Sequence, residues 1–385
     1  MARVSRAETQ ERNRVKVLTA ARDEFAERGF REAKIDTIAE RAGLTRGAVY
    51  SNFPGKRALY FAVLADQAER AYPSTSQTGA FAEPGPEGGA FAHHSPEGDR
   101  GAVARTGDSA ANGAPVDVQQ DLRSVLGALA LAWVRPLTGD DWLGRDLLPE
   151  LLAEDLRHPY TQLLELDALL LGLAMTRLRG APAAGGAVPR LVRQAEVILG
   201  TLHGAHQLAA AAPGFLEPYD VVSACERLAG LALNDWWSPL PPAPPVRSAD
   251  EAWTPPPAVD LVRGEPVTRR DGVVAILGLN RLVSAEQAVR SGAPTTVVMV
   301  TSAPQELAPL SRLTVAQLCG PLRQSFPVHA WPDVQVVSDE SGTFAKAAGV
   351  PAVSDETETA VEVRNGRIVR RADGYAACHA VSAPS

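Results

Sequence analysis

From the N-terminus to about residue 237, apolar residues return every three to four positions, the mark of helices with one buried stripe. Val15, Leu18, Ala21 and Phe25 make such a stripe, and Gly29 closes it. From an N-capping Asp117 with Gln120 three residues on, a second helix is expected through LRSVLGALALAWV to Pro136. Further helices are expected in DWLGRDLLPELLAED, in YTQLLELDALLLGLAMTRLRG closed by Gly180, in VPRLVRQAEVILGTLHGAHQLAA and, with Pro218 near its first turn, in YDVVSACERLAGLALNDWW. After residue 258 the pattern changes. Short β-rich runs (Val273–Leu277, Thr296–Val300, Val334–Val337, Ala360–Val363, Arg367–Val369) alternate with helical stretches at Ser284–Arg290, Leu313–Gln324 and Gly342–Ala348. That alternation predicts an α/β unit, and Asn365-Gly366 predicts a hairpin because both turn positions tolerate positive φ.

Two stretches break the patterning. Residues 72–116 are rich in Gly, Pro, Ser, Ala and Thr with almost no branched apolar residues, so they read as a disordered insert. Residues 238–258 are proline-dense and read as an extended, semi-rigid linker. The expected division is 1–71, 72–116, 117–237, 238–258 and 259–385, a multidomain chain with an all-α first part and an α/β last part. At 385 residues and 45% hydrophobic composition the chain has enough material for more than one core. No apolar run approaches the roughly 18–20 residues of a membrane span, and MARVSRAETQERNRVKVLTA lacks a signal peptide's apolar segment. A cytoplasmic protein with no membrane partner is expected. Cys225, Cys319 and Cys378 lie far apart without a CxxC pair, which excludes a disulfide scaffold and a cysteine-built zinc site.

The net charge of −7 conceals an asymmetry: residues 1–60 carry 13 Lys/Arg against 8 Asp/Glu, and the remainder 25 against 37. A basic module on an acidic body points to a local polyanion site. Within it, IDTIAERAGLTRGAVYSNF has the spacing of a helix-turn-helix. Ala39 stands where two helices cross, Gly43 where the turn needs positive φ, and Val49 where the second helix is locked down. Thr45 caps that helix and sets Arg46, Gly47, Tyr50, Ser51 and Asn52 on or near its groove-facing side. The segment resembles the DNA-binding domain of the TetR family of transcriptional regulators, through Thr37, the Ala-Gly-Leu turn, Tyr50-Ser-Asn-Phe53-Pro-Gly-Lys56 and Leu59. The resemblance implies that Thr37, Tyr50 and Lys56 meet phosphates while recognition-helix side chains read bases. Arg46 has the forked donor set that suits guanine O6 and N7, whereas Gly47 has no side chain to read with. Phe30, Phe53 and Leu59 are assigned to the small core.

The same resemblance implies that residues 117–237 form a TetR-like helical bundle that binds an effector and dimerises. Pro189–Ala211 and Tyr219–Trp237 would make the dimer interface, with Gly200, Gly204 and Gly230 allowing close approach. Trp133, Trp142, Met175, His203, His206 and Phe215 could line an effector pocket, although core packing explains each as well. His203 and His206 share a helical face, yet Glu196 is the one obvious further ligand, so a pocket or interface pair is preferred to a metal site; His93-His94 lies in the insert. At the other end, VQVVSDESGTFAKAAGV followed by TAVEVRNGRIVRRADGY resembles a thioredoxin or peroxiredoxin-like fold. Chemistry there needs a cysteine at the N-terminus of the helix after the first core strand. VVAILGLNRLVSAEQAV has none, and Ser284 with Gln287 reads as a capping box. No catalytic residue, metal or cofactor is therefore expected. Cys319, in an apolar helical run, reads as an inert buried thiol, and Cys378 beside His379 as the redox-sensor candidate.

Together these readings predict a cytoplasmic, homodimeric, sequence-specific regulator that binds a palindromic double-stranded DNA operator. It would be a repressor released when an unknown small-molecule effector selects a dimer with splayed heads. The rivals are a thiol-dependent oxidoreductase or redox sensor in the last domain, and constitutive architectural DNA binding.

Overall fold

The computed structural model describes residues 6–72, 115–138, 143–180, 190–237 and 239–383. Most of the expected disordered insert (73–114, with His93 and His94) and Trp142 lie outside the described residues.

Four helices make the N-terminal head: α1 (Arg6–Glu32), α2 (Ile35–Ala42), α3 (Arg46–Tyr50) and α4 (Lys56–Ala71). Gly29, at φ 73°, breaks α1 where its apolar stripe ends. Gly43, at φ 64°, turns α2 into α3, and the Leu44 amide closes the turn on the Ala39 carbonyl. Phe25, Phe30 and Tyr60 pack ring on ring in the head's core, with Tyr60 4.7 Å from Phe30 and 5.2 Å from Phe25 between centroids. Buried Glu24 ties α1 to α2 by accepting from the Lys34 amide and pairing with Arg28 and Arg41.

The helical body comprises α5 (Pro115–Val134), α6 (Leu147–Leu151), α7 (Glu154–Arg179), α8 (Val192–Ala211) and α9 (Pro218–Leu228). Two expectations are corrected here. Within DWLGRDLLPELLAED the described residues form a 3₁₀ turn over Leu143–Asp146, the five residues of α6 and the start of α7, rather than one helix. The last body helix stops at Leu228, nine residues short of Trp237, because tertiary contacts claim the chain beyond it. Asp235 pairs with Arg190 and accepts from the Arg193 amide, and the Trp237 ring lies under the guanidiniums of Arg190 and Arg290.

The C-terminal region is a mixed sheet with helices. Its strands are β1 (Arg247–Ala252), β4 (Gly272–Gly278), β5 (Thr295–Val300), β6 (Val334–Ser338), β7 (Glu358–Arg364) and β8 (Arg367–Asp373), with the short ladder β2 (Val259–Asp260) and β3 (Glu265–Pro266) beside it. The large sheet has the order β1-β8-β7-β4-β5-β6. β4, β5 and β6 run parallel, and β7, β8 and β1 antiparallel. The helices are α10 (Ala285–Val289), α11 (Pro304–Ser325), α12 (Thr343–Ala347) and α13 (Ala377–Ser382). Asn365 and Gly366 take φ of 52° and 71° in the β7–β8 hairpin, as that dipeptide predicts. β1 corrects the reading of 238–258 as a plain spacer. It pairs with β8 through Arg247–Asp373 and Arg367–Asp250 ion pairs, and Trp253 follows it into the core against Phe344.

Along β4, β5 and β7 the sheet's two faces part by residue parity, and in β8 a bulge puts Ile368 and Ala372 on opposite faces. Val274, Ile276, Val298, Val300, Val361 and Val363 pack with Trp253 and Phe344 on one side. Val273, Ala275, Leu277, Val297, Met299 and Val336 face the other side, where the apolar core runs unbroken through α11 into the body and the head. Buried on nearly every side, α11 runs in the same direction as α4 and packs along it.

Candidate nucleic-acid interface

The surface of the head is built outward from the α2–α3 turn. The Thr45 hydroxyl accepts from the Ala48 amide at 3.2 Å and caps α3, satisfying an orphan donor of the first turn. Val49 anchors the opposite side of α3 in the core. That anchoring leaves Thr45, Arg46, Gly47, Tyr50 and Ser51 exposed, with Thr37 and Asn52 half-buried at their flanks. Arg46 pairs with Asp36 at 3.3 Å and stacks 5.5 Å from the Tyr50 ring centroid. Ser51 and Asn52 each donate to the Ala48 carbonyl, which finishes the C-terminal end of α3.

Lys56 is placed differently from its expected surface role. Its Nζ turns inward, donating to the carbonyls of Arg31 at 3.0 Å and Ala33 at 3.2 Å and standing 4.7 Å from the centroid of the Phe30 ring. Sequence reasoning passed over its neighbour. Arg57 donates to Glu306 of α11 at 2.7 Å and to Asp155 of α7 at 2.6 Å, two carboxylates far along the chain that no local spacing points to.

Of the residues expected to line an effector pocket, the structure brings four into the body's interior and leaves one out. Trp133 is buried, and its ring meets His203 edge-on at 5.2 Å; the His206 ring nitrogen bonds the Trp133 carbonyl at 3.1 Å. Burial holds both histidines neutral, down at about 4. A small cavity of about 50 Å³ adjoins them, well below the few hundred Å³ of a typical small-molecule site. Met175 is buried in α7, whereas Phe215 is 69% exposed. A cleft of about 660 Å³ opens elsewhere, between the ends of α4 and α11 and the turn after β6, with Glu69, Tyr72, Arg312, Val259 and Phe344 among its walls.

The C-terminal unit departs from two expectations. Ser284 makes no capping bond; it is buried beside the carboxyl of Glu358, which burial pushes up. Cys378 is fully buried, and burial raises its thiol well above the usual range, so the exposure on which a sensor depends is missing. Cys319 is buried with its thiol likewise pushed up, and Cys225 is pushed up to about 12.

Residues 17–63 match the model described as "Bacterial regulatory proteins, tetR family". The N-terminal domain is of the TetR helix-turn-helix type. Its segment is similar to the HTH-type transcriptional regulator SrpR of Pseudomonas putida, 45% identical over 67 residues that make up 17% of this chain and 31% of that relative. It is also similar to the uncharacterized HTH-type transcriptional regulator TtgW, from a strain of the same species, 45% identical over 67 residues, 17% of this chain and 49% of that one. The match thus spans less than half the length of either curated relative. Among solved structures, a TetR transcriptional regulator from Rhodococcus sp. RHA1 aligns with 58% of this chain and 95% of its own at 16% identity and a TM-score of 0.32. Among the described residues no helix is long and apolar enough to cross a membrane.

Proposed function

We propose that this chain is a cytoplasmic, sequence-specific DNA-binding transcription regulator that acts as a homodimer on a palindromic operator, repressing until a small molecule releases it. The observation that carries this reading is the α2–Gly43–α3 unit, which holds Arg46 and Tyr50 outward on a helix whose other side is anchored by Val49. Thr37, Thr45, Tyr50 and Ser51 would hold the phosphate backbone, and Arg46 and Asn52 would meet base edges. Lys56 would join them only by leaving the carbonyls it now caps. The outer stripe of α8, with Val197 and Leu208 exposed and open space over Gly200 and Gly204, suits a second copy's helix. For the effector, the cleft between α4 and α11 has the volume that the cavity at His203 lacks.

The division into head, body and α/β unit is retained in this reading, and the last unit is taken as thioredoxin-like. What supports that arrangement is the order β8-β7-β4-β5 with β4 and β5 parallel, the β7–β8 hairpin antiparallel, and α13 following it. The unit serves here as a non-enzymatic part. Where a nucleophile would stand after β4, the chain is engaged with the body: the Val283 amide donates to Gln162 of α7, and Glu286 pairs with Arg190.

The test is selection from a random duplex library followed by titration. A two-fold symmetric sequence should emerge, and Arg46→Ala should weaken binding to it by about ten- to a hundredfold while changing random-duplex affinity little. Enrichment of no sequence at all would sink the reading.

A further inference from the structure

Both cations at the start of α4 are drawn into the protein. Lys56 caps the end of α1, and Arg57 is held between Glu306 on the first turn of α11 and Asp155 on the first turn of α7. The Arg57 and Glu306 side chains are a quarter and a third exposed, so water screens their pair less than an open surface pair, whereas Asp155 is largely exposed. Ser51 and Asn52, the end of the recognition helix, face Pro304, Gln305 and Glu340 of the α/β unit across a cleft of about 400 Å³. Glu340 therefore stands beside the surface that would receive a phosphate backbone, and Glu306 follows Gln305 of the same cleft wall directly in the chain.

α11 cannot swing away to follow Arg57. Its length from Leu307 to Leu322 is largely buried, and two further ties bind it to α4. Arg312 donates to both carboxylate oxygens of Glu69, at 2.9 and 2.7 Å, while also pairing with Glu340. Arg323 donates to the Tyr72 carbonyl at 3.0 Å, and Gly320 seats the Tyr72 ring so closely that an added Cβ would come within 2.3 Å of it. A rigid helix carrying an acid makes a contact that is either closed or open.

We propose that the α/β unit is an autoinhibitory latch on the DNA-reading head: Glu306, together with Asp155, holds Arg57 in an internal ion pair that must open before Arg57 can meet a DNA phosphate. The inference rests on the DNA-binding reading above. Latched, the head lacks one phosphate contact and carries acids beside its groove-facing side. Unlatched, Arg57 exchanges two carboxylates for a phosphate, and the release of one more counterion steepens the salt dependence.

The experiment uses the full chain and a fluorescent random-sequence duplex, with affinity followed across salt. The double variant Asp155→Asn, Glu306→Gln should bind several-fold more tightly than the natural chain at low salt, with log K against log salt steeper by about one unit. Glu306→Gln alone leaves Asp155 in place and should show a smaller gain of the same sign. Adding Arg57→Ala to the double variant should return the slope to that of the natural chain even though the two acids stay removed. A gain that survives Arg57→Ala would mean simple loss of negative charge, and would overturn the latch. Binding by the natural chain with no change in the double variant would overturn the latch alone. If neither binds any duplex, the DNA-binding reading falls and the latch with it.

Discussion

Asp167 sits in the middle of α7 with both carboxylate oxygens buried and, among the described residues, without a hydrogen-bond partner. Burial alone pushes its carboxyl well above the usual range, so it is held neutral next to the contact with α11, where its charge would be felt by Cys319. The sign of the linkage follows. A carboxyl raised in the folded state contributes fully below the unfolded value of about 4, and that contribution is lost as pH rises toward the folded value. Asp167→Asn removes the proton equilibrium, and any cost of its buried amide does not vary with pH. The variant should therefore gain on the natural chain in urea midpoint as pH goes from 4 to 7, and a constant offset between the two would refute the assignment. Asp167, Arg57 and the inward Lys56 show where residue-level reading ran out. The types and spacing around Thr45, Arg46 and Tyr50 carry a local geometry, so the interface was legible. Which distant acid meets Arg57, and whether Cys378 is covered, depend on neighbours that no local pattern encodes.

Helices and strands were legible wherever one face is apolar and the other polar, and were lost wherever that contrast fails. β1 has the sequence RSADEA and exposes nearly every position, so it offers no alternation; its place depends on pairing with β8 and on Trp253 beyond it. α11 was foreseen only from Leu313, because Pro304, Pro309 and Ser311 mask its first half. Pro304 in fact stands at a helix start, where its missing amide costs nothing. Gly320 is the point of closest approach between α11 and the end of α4, which makes it a sensitive position. Gly320→Val should destabilise the protein by about 1–3 kcal/mol through overpacking against the Tyr72 ring, measured by denaturant unfolding. Tyr72→Ala in the same background should recover part of the loss by making room. Additive losses would show that the two residues do not press on each other.

Across the whole molecule, the decisive feature is that head, body and the body-facing side of the sheet share one apolar core reaching from Val17 to Val381. From sequence, residues 259–385 read as an α/β unit of their own, because their short strands and helices alternate. With β1 added from residues 247–252 the sheet is complete, yet its longest helix is not. α11 presents Leu307, Leu310, Leu313, Leu318 and Leu322 to a core shared with the helical parts, and Gln162, Arg177 and Arg190 of the body bond to the same unit along its flank. Separated from residues 1–237, the unit would expose that face to water at a cost of about 25 cal/mol per Å² of apolar surface uncovered. Cooperativity follows from the shared core. The full chain should lose its near- and far-ultraviolet circular dichroism in a single coincident thermal transition, despite a length at which separate domains commonly melt apart. A fragment of residues 239–385 made alone should bind a hydrophobic dye and aggregate, and co-expression with residues 1–237 should restore it to solution. Two separated transitions, with a fragment that is soluble and dye-silent by itself, would show instead that α11 belongs energetically to its sheet and merely rests on the head.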